Sequence, residues 1–117
     1  MVPILGTIAS SFDNTVAARG IFGGGYVTSP GVVNVIDYVE IATTGNATDF
    51  GDLSGSATGS ASTSSTIRGI THLGISGGFG NVIDYITIDT TGNSIDFGDL
   101  TRTGYNLSAL SNAHGGL

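Results

Sequence analysis

The amino-acid sequence predicts an all-β protein built from tandem units of about 47 residues. β-branched residues are abundant, and no stretch shows the apolar periodicity of a helix. Residues 34–53 read NVIDYVEIATTGNATDFGDL and residues 81–100 read NVIDYITIDTTGNSIDFGDL, so fifteen of twenty positions are identical at an offset of 47. Arg19-Gly20-Ile21 likewise corresponds to Arg68-Gly69-Ile70 at an offset of 49. A fixed internal period of this length is the mark of a repeat architecture.

The whole chain, residues 1–117, is interpreted as a single repeat domain. Residues 107–117 follow the pattern of residues 60–70, which indicates that a third unit begins near the end. The expected divisions are a partial blade at about 1–15 joined to 16–54, a second blade at about 55–101, and the start of a third at 102–117.

Each unit is predicted to contain four strands. Turns rich in Gly, Asn, Asp and Ser separate them, because these residues bond nearby backbone or tolerate left-handed geometry. The strands fall, in unit order, near residues 4–12, 57–63 and 105–111; 16–23 and 67–75; 33–42 and 81–90; and 47–54 and 94–101.

The third strand of the unit is apolar on both faces, since Val35 and Val39 alternate with Ile36 and Tyr38. A sheet covered on one side only would alternate apolar with polar residues. We therefore expect each sheet to lie between two others, as a blade does in a β-propeller, where repeats of about 40–50 residues are usual.

The repeated residues resemble the kelch type of propeller blade. In that blade one strand ends in consecutive glycines, the next carries an Asp-Tyr step, and the last carries an aromatic residue. The corresponding residues are Gly23, Gly24, Gly77, Gly78, Asp37, Tyr38, Asp84, Tyr85, Phe50 and Phe97, with Arg19 and Arg68 preceding the glycines. The final aromatic is Phe where kelch blades usually have Trp, and His72-Leu73 stands where the second glycine run would begin. The resemblance implies tandem four-stranded antiparallel blades, two and a partial third per chain.

The combined string of about residues 10–117 is also similar to tandem repeats in structural proteins of marine cyanobacterial phages. In those repeats RG-(I/V)-F-GGG, NVIDYV and TTGNATDFGDLT recur. This resemblance implies a non-enzymatic virion component, associated with the tail or fibre or decorating the capsid. We expect synthesis in the host cytoplasm, because Met1 to Leu5 lack the basic region of a signal peptide.

Two complete blades leave apolar faces uncovered, because propellers contain about four to eight blades. We therefore expect self-association, with a trimer of about six blades as the first arrangement to test. Docking on another virion protein is the rival. The segment of the unfinished third unit that we expect to make the contact is His114, Gly115, Gly116 and Leu117.

Composition excludes several classes of partner and cofactor. Three arginines, no lysine and nine acidic residues give a net charge of −6, which argues against a nucleic-acid partner. The chain has no cysteine, so disulfides and thiolate metal sites are excluded. No apolar run reaches the length of a membrane span, and no cofactor is expected.

No catalytic residue is predicted. The Asp-Phe-Gly triplets lack the lysine that a kinase needs, and no Gly-x-Ser-x-Gly elbow marks a nucleophile. Asn46, Asp49 and Asp52 form a weak calcium candidate, because calcium takes carboxylate and carbonyl oxygens. The favoured interpretation of the repeated acids is Asx turns and pairing with Arg19 or Arg68.

An alternative function is recognition of host-surface glycans by the propeller. Sugar faces stack on aromatic rings. Tyr38 and Tyr85 are predicted to be buried in the third strand, so Tyr26, in a variable loop, is the platform candidate.

Overall fold

The structure, a computed structural model, describes residues 18–74 and 80–112. Within these ranges the chain is all-β, as predicted, and contains no helix and hence none that could span a membrane. Its strands are β1 (Arg19–Gly23), β2 (Val35–Glu40), β3 (Thr48–Asp52), β4 (Ala61–Ser64), β5 (Arg68–His72), β6 (Gly80–Thr87) and β7 (Ile95–Gly104).

The strands form two antiparallel sheets, one for each sequence unit. The first sheet has the order β1-β2-β3 and the second the order β4-β5-β6-β7, so neighbours in the chain are neighbours in space. The turn between β4 and β5 is short and hydrogen-bonded. Between β4 and β5 the Ser65 hydroxyl accepts a hydrogen bond from the Arg68 amide at 3.0 Å, and the Ser65 amide donates to the Arg68 carbonyl at 2.9 Å.

Pairing registers repeat from sheet to sheet. Ile21 lies opposite Tyr38 in the first sheet, and Ile70 lies opposite Tyr85 in the second. Both sheets also contain a register shift at the same place, just before Asp37 and just before Asp84. The repeat in the sequence is therefore a repeat of backbone geometry.

A cation–aromatic stack recurs in each unit. The Arg19 guanidinium lies 4.4 Å from the centre of the Tyr38 ring, which meets Phe50 edge-on at 5.9 Å. The second copy has Arg68, Tyr85 and Phe97 at 4.3 Å and 6.1 Å. Such contacts contribute about 0.5–1.5 kcal/mol each. Both tyrosines are half-buried, rather than buried as expected.

The acidic partner of Arg19 differs from the expectation. Its Nε lies 3.2 Å from Oε1 of Glu40, and no aspartate pairs with it in the described part of the chain. Glu40 is the residue directly opposite Arg19 in the β1–β2 register, so strand pairing places the two side chains together.

The core lies between the two sheets. Its buried members are Ile36, Phe50, Leu53, Ala57 and Leu73. The connection from β3 to β4 seals one end of this layer. The amide of Ala57 donates to the Val33 carbonyl at 3.0 Å, and the next amide, that of Thr58, donates to the Gly74 carbonyl of the second sheet at 2.7 Å.

The predicted strand at 105–111 is wrong. The chain is irregular after Gly104, and Leu110 is 93% exposed. The corresponding β4 is a strand because it pairs with β5, from Ala61 opposite His72 to Ser64 opposite Gly69. No strand of the described residues lies beside 105–111 in this way. The strand predicted near 4–12, the glycines Gly77 and Gly78, and residues 114–117 lie outside the described residues.

We expect Gly74→Ala to lower the free energy of unfolding by about 1–3 kcal/mol, because the added methyl would overlap the carbonyl oxygens of Thr58 and Gly59. Gly55→Ala is the matched control, since the space around Gly55 is open and the change should stay within about 0.5 kcal/mol. Urea unfolding of the two variants measures the difference. Equal stabilities would contradict the close approach at Gly74.

Candidate assembly interface

The two units pack face to face, and the two contacting faces are different. We call the face that bears Ile21, Ile36, Phe50 and Leu53 in the first unit its front face. We call the face that bears Leu73, Val82, Asp84 and Ile86 in the second unit its back face. The apolar residues of both faces form one cluster. The internal contact is thus front face against back face.

A buried carboxylate lies within this contact. Asp84 is 0% exposed. Its Oδ2 accepts hydrogen bonds from the Ser54 amide at 2.8 Å and the Ser94 hydroxyl at 2.5 Å, and its Oδ1 accepts from the Ser54 hydroxyl at 2.9 Å. Ser54 belongs to the first unit, so two of the three bonds join the units. Hydrogen bonds to a charged acceptor are stronger than neutral ones, and a buried carboxylate without them is costly.

Backbone groups continue the contact along β3. The amide of Gly92 donates to the Phe50 carbonyl at 2.8 Å, and the amide of Ser94 donates to the Asp52 carbonyl at 2.9 Å. Between them, Oδ1 of Asn93 accepts from the Asp52 amide at 3.0 Å. The β6–β7 turn of the second unit is therefore bonded along the last strand of the first.

Glycine at position 51 permits this approach. Gly51 has φ +150°, a conformation that side chains rarely adopt, and an added Cβ would overlap the carbonyl of Gly92. Arg19 adds a bond at the other end of the interface, where its Nη1 donates to the Ile88 carbonyl at 3.0 Å.

A cavity of about 280 Å³ lies beside the interface. Ile21, Ile36 and Leu53 line it from the first sheet, and Ile86 and Ile88 from the second. Its remaining walls include backbone and hydroxyl groups of β4 and β5. The lining is mostly apolar, and the cavity is a gap in the packing between the sheets.

The outer front face, that of the second unit, has the same residues in a different environment. Phe50 is 3% exposed in the first unit, and Phe97, which corresponds to it, is 50% exposed. Leu53 is buried at 5%, and its counterpart Leu100 is only half-buried. The front face of the second unit keeps the residues of the front face of the first unit, but no described residue covers it.

The outer back face, that of the first unit, is likewise not covered by residues 18–74 and 80–112. Val35 and Ile41 are 42% and 64% exposed, and they correspond to Val82 and Ile88 of the internal interface. Asp37, the counterpart of Asp84, is half-buried, and no hydrogen bond from the described residues reaches its carboxylate.

The residues that the sequence singled out are distributed through this arrangement. Asp84 and Phe50 lie in the internal interface, whereas Asp37 and Phe97 lie on the outer faces. Gly23 ends β1 and Gly24 follows it; Gly24 has φ +69°, and an added Cβ would crowd the Ala57 carbonyl at 2.5 Å. His114, Gly115, Gly116 and Leu117 lie outside the described residues, so the predicted contact there stays a prediction.

Other candidates stay as sequence hypotheses. Asn46, Asp49 and Asp52 are exposed in the β2–β3 turn and on β3. Within 18–74 and 80–112 no three His, Cys, Asp or Glu residues are grouped to hold a metal ion. One expected Asx turn is present, since Oδ1 of Asp96 accepts from the Gly98 amide at 3.1 Å.

His72 is buried, and its Nε2 lies 3.0 Å from the Gly80 carbonyl, within its own unit. A carbonyl can only accept, so Nε2 carries the proton, and His72 serves the fold of the second unit.

Sequence reasoning missed Ser54 and the turn at Gly92 to Ser94 as interface residues. A signal for Ser54 existed, because Thr101 retains a hydroxyl 47 positions later. Comparison of the chain with protein-family models, curated proteins and solved structures found no match.

Asp84→Asn should lower the free energy of unfolding by about 1.5–3 kcal/mol, because a neutral amide oxygen accepts weaker hydrogen bonds than a carboxylate and only one accepting oxygen remains for the donors of Ser54 and Ser94. The control is Asp37→Asn, the same chemical change at the corresponding residue. In dilute solution we expect that change to cost less than about 0.5 kcal/mol. Urea denaturation of both variants gives the comparison. Equal losses would contradict the bonding assigned to Asp84.

Proposed function

We propose that this chain is a non-enzymatic structural component of a bacteriophage virion, associated with the tail or fibre or decorating the capsid. It works by stacking β-blades on itself or on other virion proteins. The observation that carries the proposal is the repetition of an interface: a face that is buried in the first unit is present, with the same residues, on the outside of the second.

Exposed apolar side chains support an assembly role. Phe97, Ile95, Val35 and Ile41 are each at least 42% exposed on the outer faces. Contiguous apolar surface on a soluble domain marks an interaction site more often than it marks idle surface. Partner proteins with sheet faces of similar chemistry would cover it.

The finer architecture that we propose is a kelch-like propeller. Two features support it: each unit is an antiparallel sheet with its strands in chain order, and successive sheets pack face to face. Units added on both outer faces would complete a ring, with a trimer of chains as the first arrangement.

The nature of the particle comes from the resemblance to marine cyanobacterial-phage structural repeats. The charge balance agrees with it. A chain with three arginines, no lysine and a net charge of −6 is suited to protein neighbours rather than to packaged nucleic acid. Two of those arginines, Arg19 and Arg68, are stacked over tyrosines within the fold.

Immunogold labelling of purified particles tests the virion assignment. Antibodies raised against the purified chain should label particles of a phage that encodes it at one recurring position. Antibodies absorbed beforehand with the chain are the control. A chain present in the infected-cell lysate but absent from purified particles on an immunoblot would overturn the assignment.

A second candidate function, glycan recognition, is favoured by Tyr26. This residue is 74% exposed, on a loop whose backbone is held by hydrogen bonds. The Val27 amide donates to the Gly31 carbonyl at 2.8 Å, and the Val33 amide donates to the Gly25 carbonyl at 3.0 Å. An exposed ring on a fixed loop is a suitable platform for the apolar face of a sugar.

Binding of the chain to a glycan array and to lipopolysaccharide from the host tests this second function. If Tyr26 is the platform, Tyr26→Ala should weaken binding at least about tenfold, which corresponds to about 1.4 kcal/mol. Tyr105→Ala is the comparison variant, because Tyr105 is 40% exposed and lies beyond β7. No binding at millimolar sugar would remove the candidate.

A further inference from the structure

We infer that the outer front face, on the second unit, is a docking site for the outer back face of a second copy of this chain. The two copies would join head to tail, through the same contacts that join the two units within one chain. This inference rests on the proposed assembly function and deepens it, because it names the partner and the residues of the contact.

The internal interface is the template. Its front face contributes Ile36, Phe50 and Leu53 to the buried core. Ile83, Phe97 and Leu100 occupy the same positions 47 residues later, with identical side chains. The front face of the first unit is covered by a back face. The outer front face has the same composition and is therefore complementary to a back face as well.

The buried carboxylate and its donor residue both have counterparts on the outer faces. In the internal interface Ser54 donates from its amide and its hydroxyl to Asp84. Their counterparts are Thr101, which keeps the hydroxyl and is exposed, and Asp37, which no described donor reaches. Thr101 of one copy would donate to Asp37 of the next. Ala47 stands in place of Ser94, so this contact has two of the three bonds.

The residue types that make the backbone contacts also recur in the sequence of the outer faces. In the template the turn of Gly92 to Ser94 bonds to the backbone of Phe50 and Asp52. The corresponding turn, TGNA at 44–47, keeps the amides and the asparagine side chain, and the corresponding strand keeps Phe97 and Asp99. Asn46 is then the counterpart of Asn93.

Gly98 supplies an independent observation. Its φ of +147° matches the +150° of Gly51, so β7 has the same unusual backbone shape as β3. In the first unit that shape admits the Gly92 carbonyl, but no atom of the described residues, apart from those of the chain neighbours, lies within 4 Å of where a Cβ on Gly98 would be. The second unit is therefore shaped for a close neighbour, and Gly45 of a second copy would fill the space.

Arg68 completes the correspondence. Arg19 lies over Tyr38 and donates to the Ile88 carbonyl of the next unit. Arg68 lies over Tyr85 in the same way and is exposed, which positions it for the Ile41 carbonyl of a second copy. Because the two faces differ, the contact is heterologous and produces rings or open chains rather than a two-fold dimer.

Two variants block one face each. Thr101→Asp places a carboxylate opposite Asp37 of the next copy, and Asp37→Lys places an ammonium opposite the Thr101 amide. We expect the unaltered 11.7 kDa chain to sediment as an oligomer at about 100 µM, and each variant to associate at least about tenfold more weakly. Thr28→Asp, at an exposed loop residue that belongs to neither face as defined above, is the control and should assemble normally.

Mixing the two blocked variants is the decisive step. Thr101→Asp retains an intact back face and Asp37→Lys an intact front face, and the two altered faces carry opposite charges, so the mixture should recover the association that each variant lacks alone. Circular dichroism melting confirms that each variant is folded. An unaltered chain that stays monomeric, variants that assemble normally, or a mixture that recovers no association would each overturn the inference. A monomeric chain that still labels virions would leave the proposed function standing, with another virion protein as its neighbour.

Discussion

A carboxylate buried between two sheets determines how the units of this protein meet. Removing Asp84 from water is unfavourable unless donors replace the lost hydration, and Ser54 and Ser94 provide them. Ser54 follows β3 of the first unit, so the bonds form at one relative position of the sheets. Apolar residues such as Phe50 and Leu53 close around this position and provide most of the favourable burial. The carboxylate sets the register, and the apolar layer stabilises it.

The two units share a sequence pattern, but equivalent residues lie in different environments. This difference makes the two ends of the molecule distinct. Phe50 and Phe97 occupy the same place on the same strand, yet their exposures are 3% and 50%. One unit presents its front face to a neighbour in the chain, and the other presents that face outward. The opposite end has an outward back face. The two ends of the molecule therefore present different faces, a front face at one end and a back face at the other. This difference connects the fold with the proposed virion role.

The sequence predicted most of the fold, because the two copies gave the same strand pattern twice and the third strand was apolar on both faces. It failed at 105–111, since a short strand of small residues forms only beside a partner, as β4 does beside β5. It also missed the pairing of Ser54 with Asp84, since the residues lie 30 positions apart and belong to different units. Position-by-position comparison of the units identifies the candidate residues, but only the packing of the sheets shows which ones meet.

Amide hydrogen exchange at Gly92 and Ser94 tests the packing of unit on unit most directly. These amides lie in the turn before β7, where exchange would ordinarily be fast, and here they donate to Phe50 and Asp52 of the other unit. We predict that both amides exchange as slowly as those within β6. Exchange at the rate of an exposed turn would show that the units do not pack in this way, and would contradict the interface on which the assembly proposal depends.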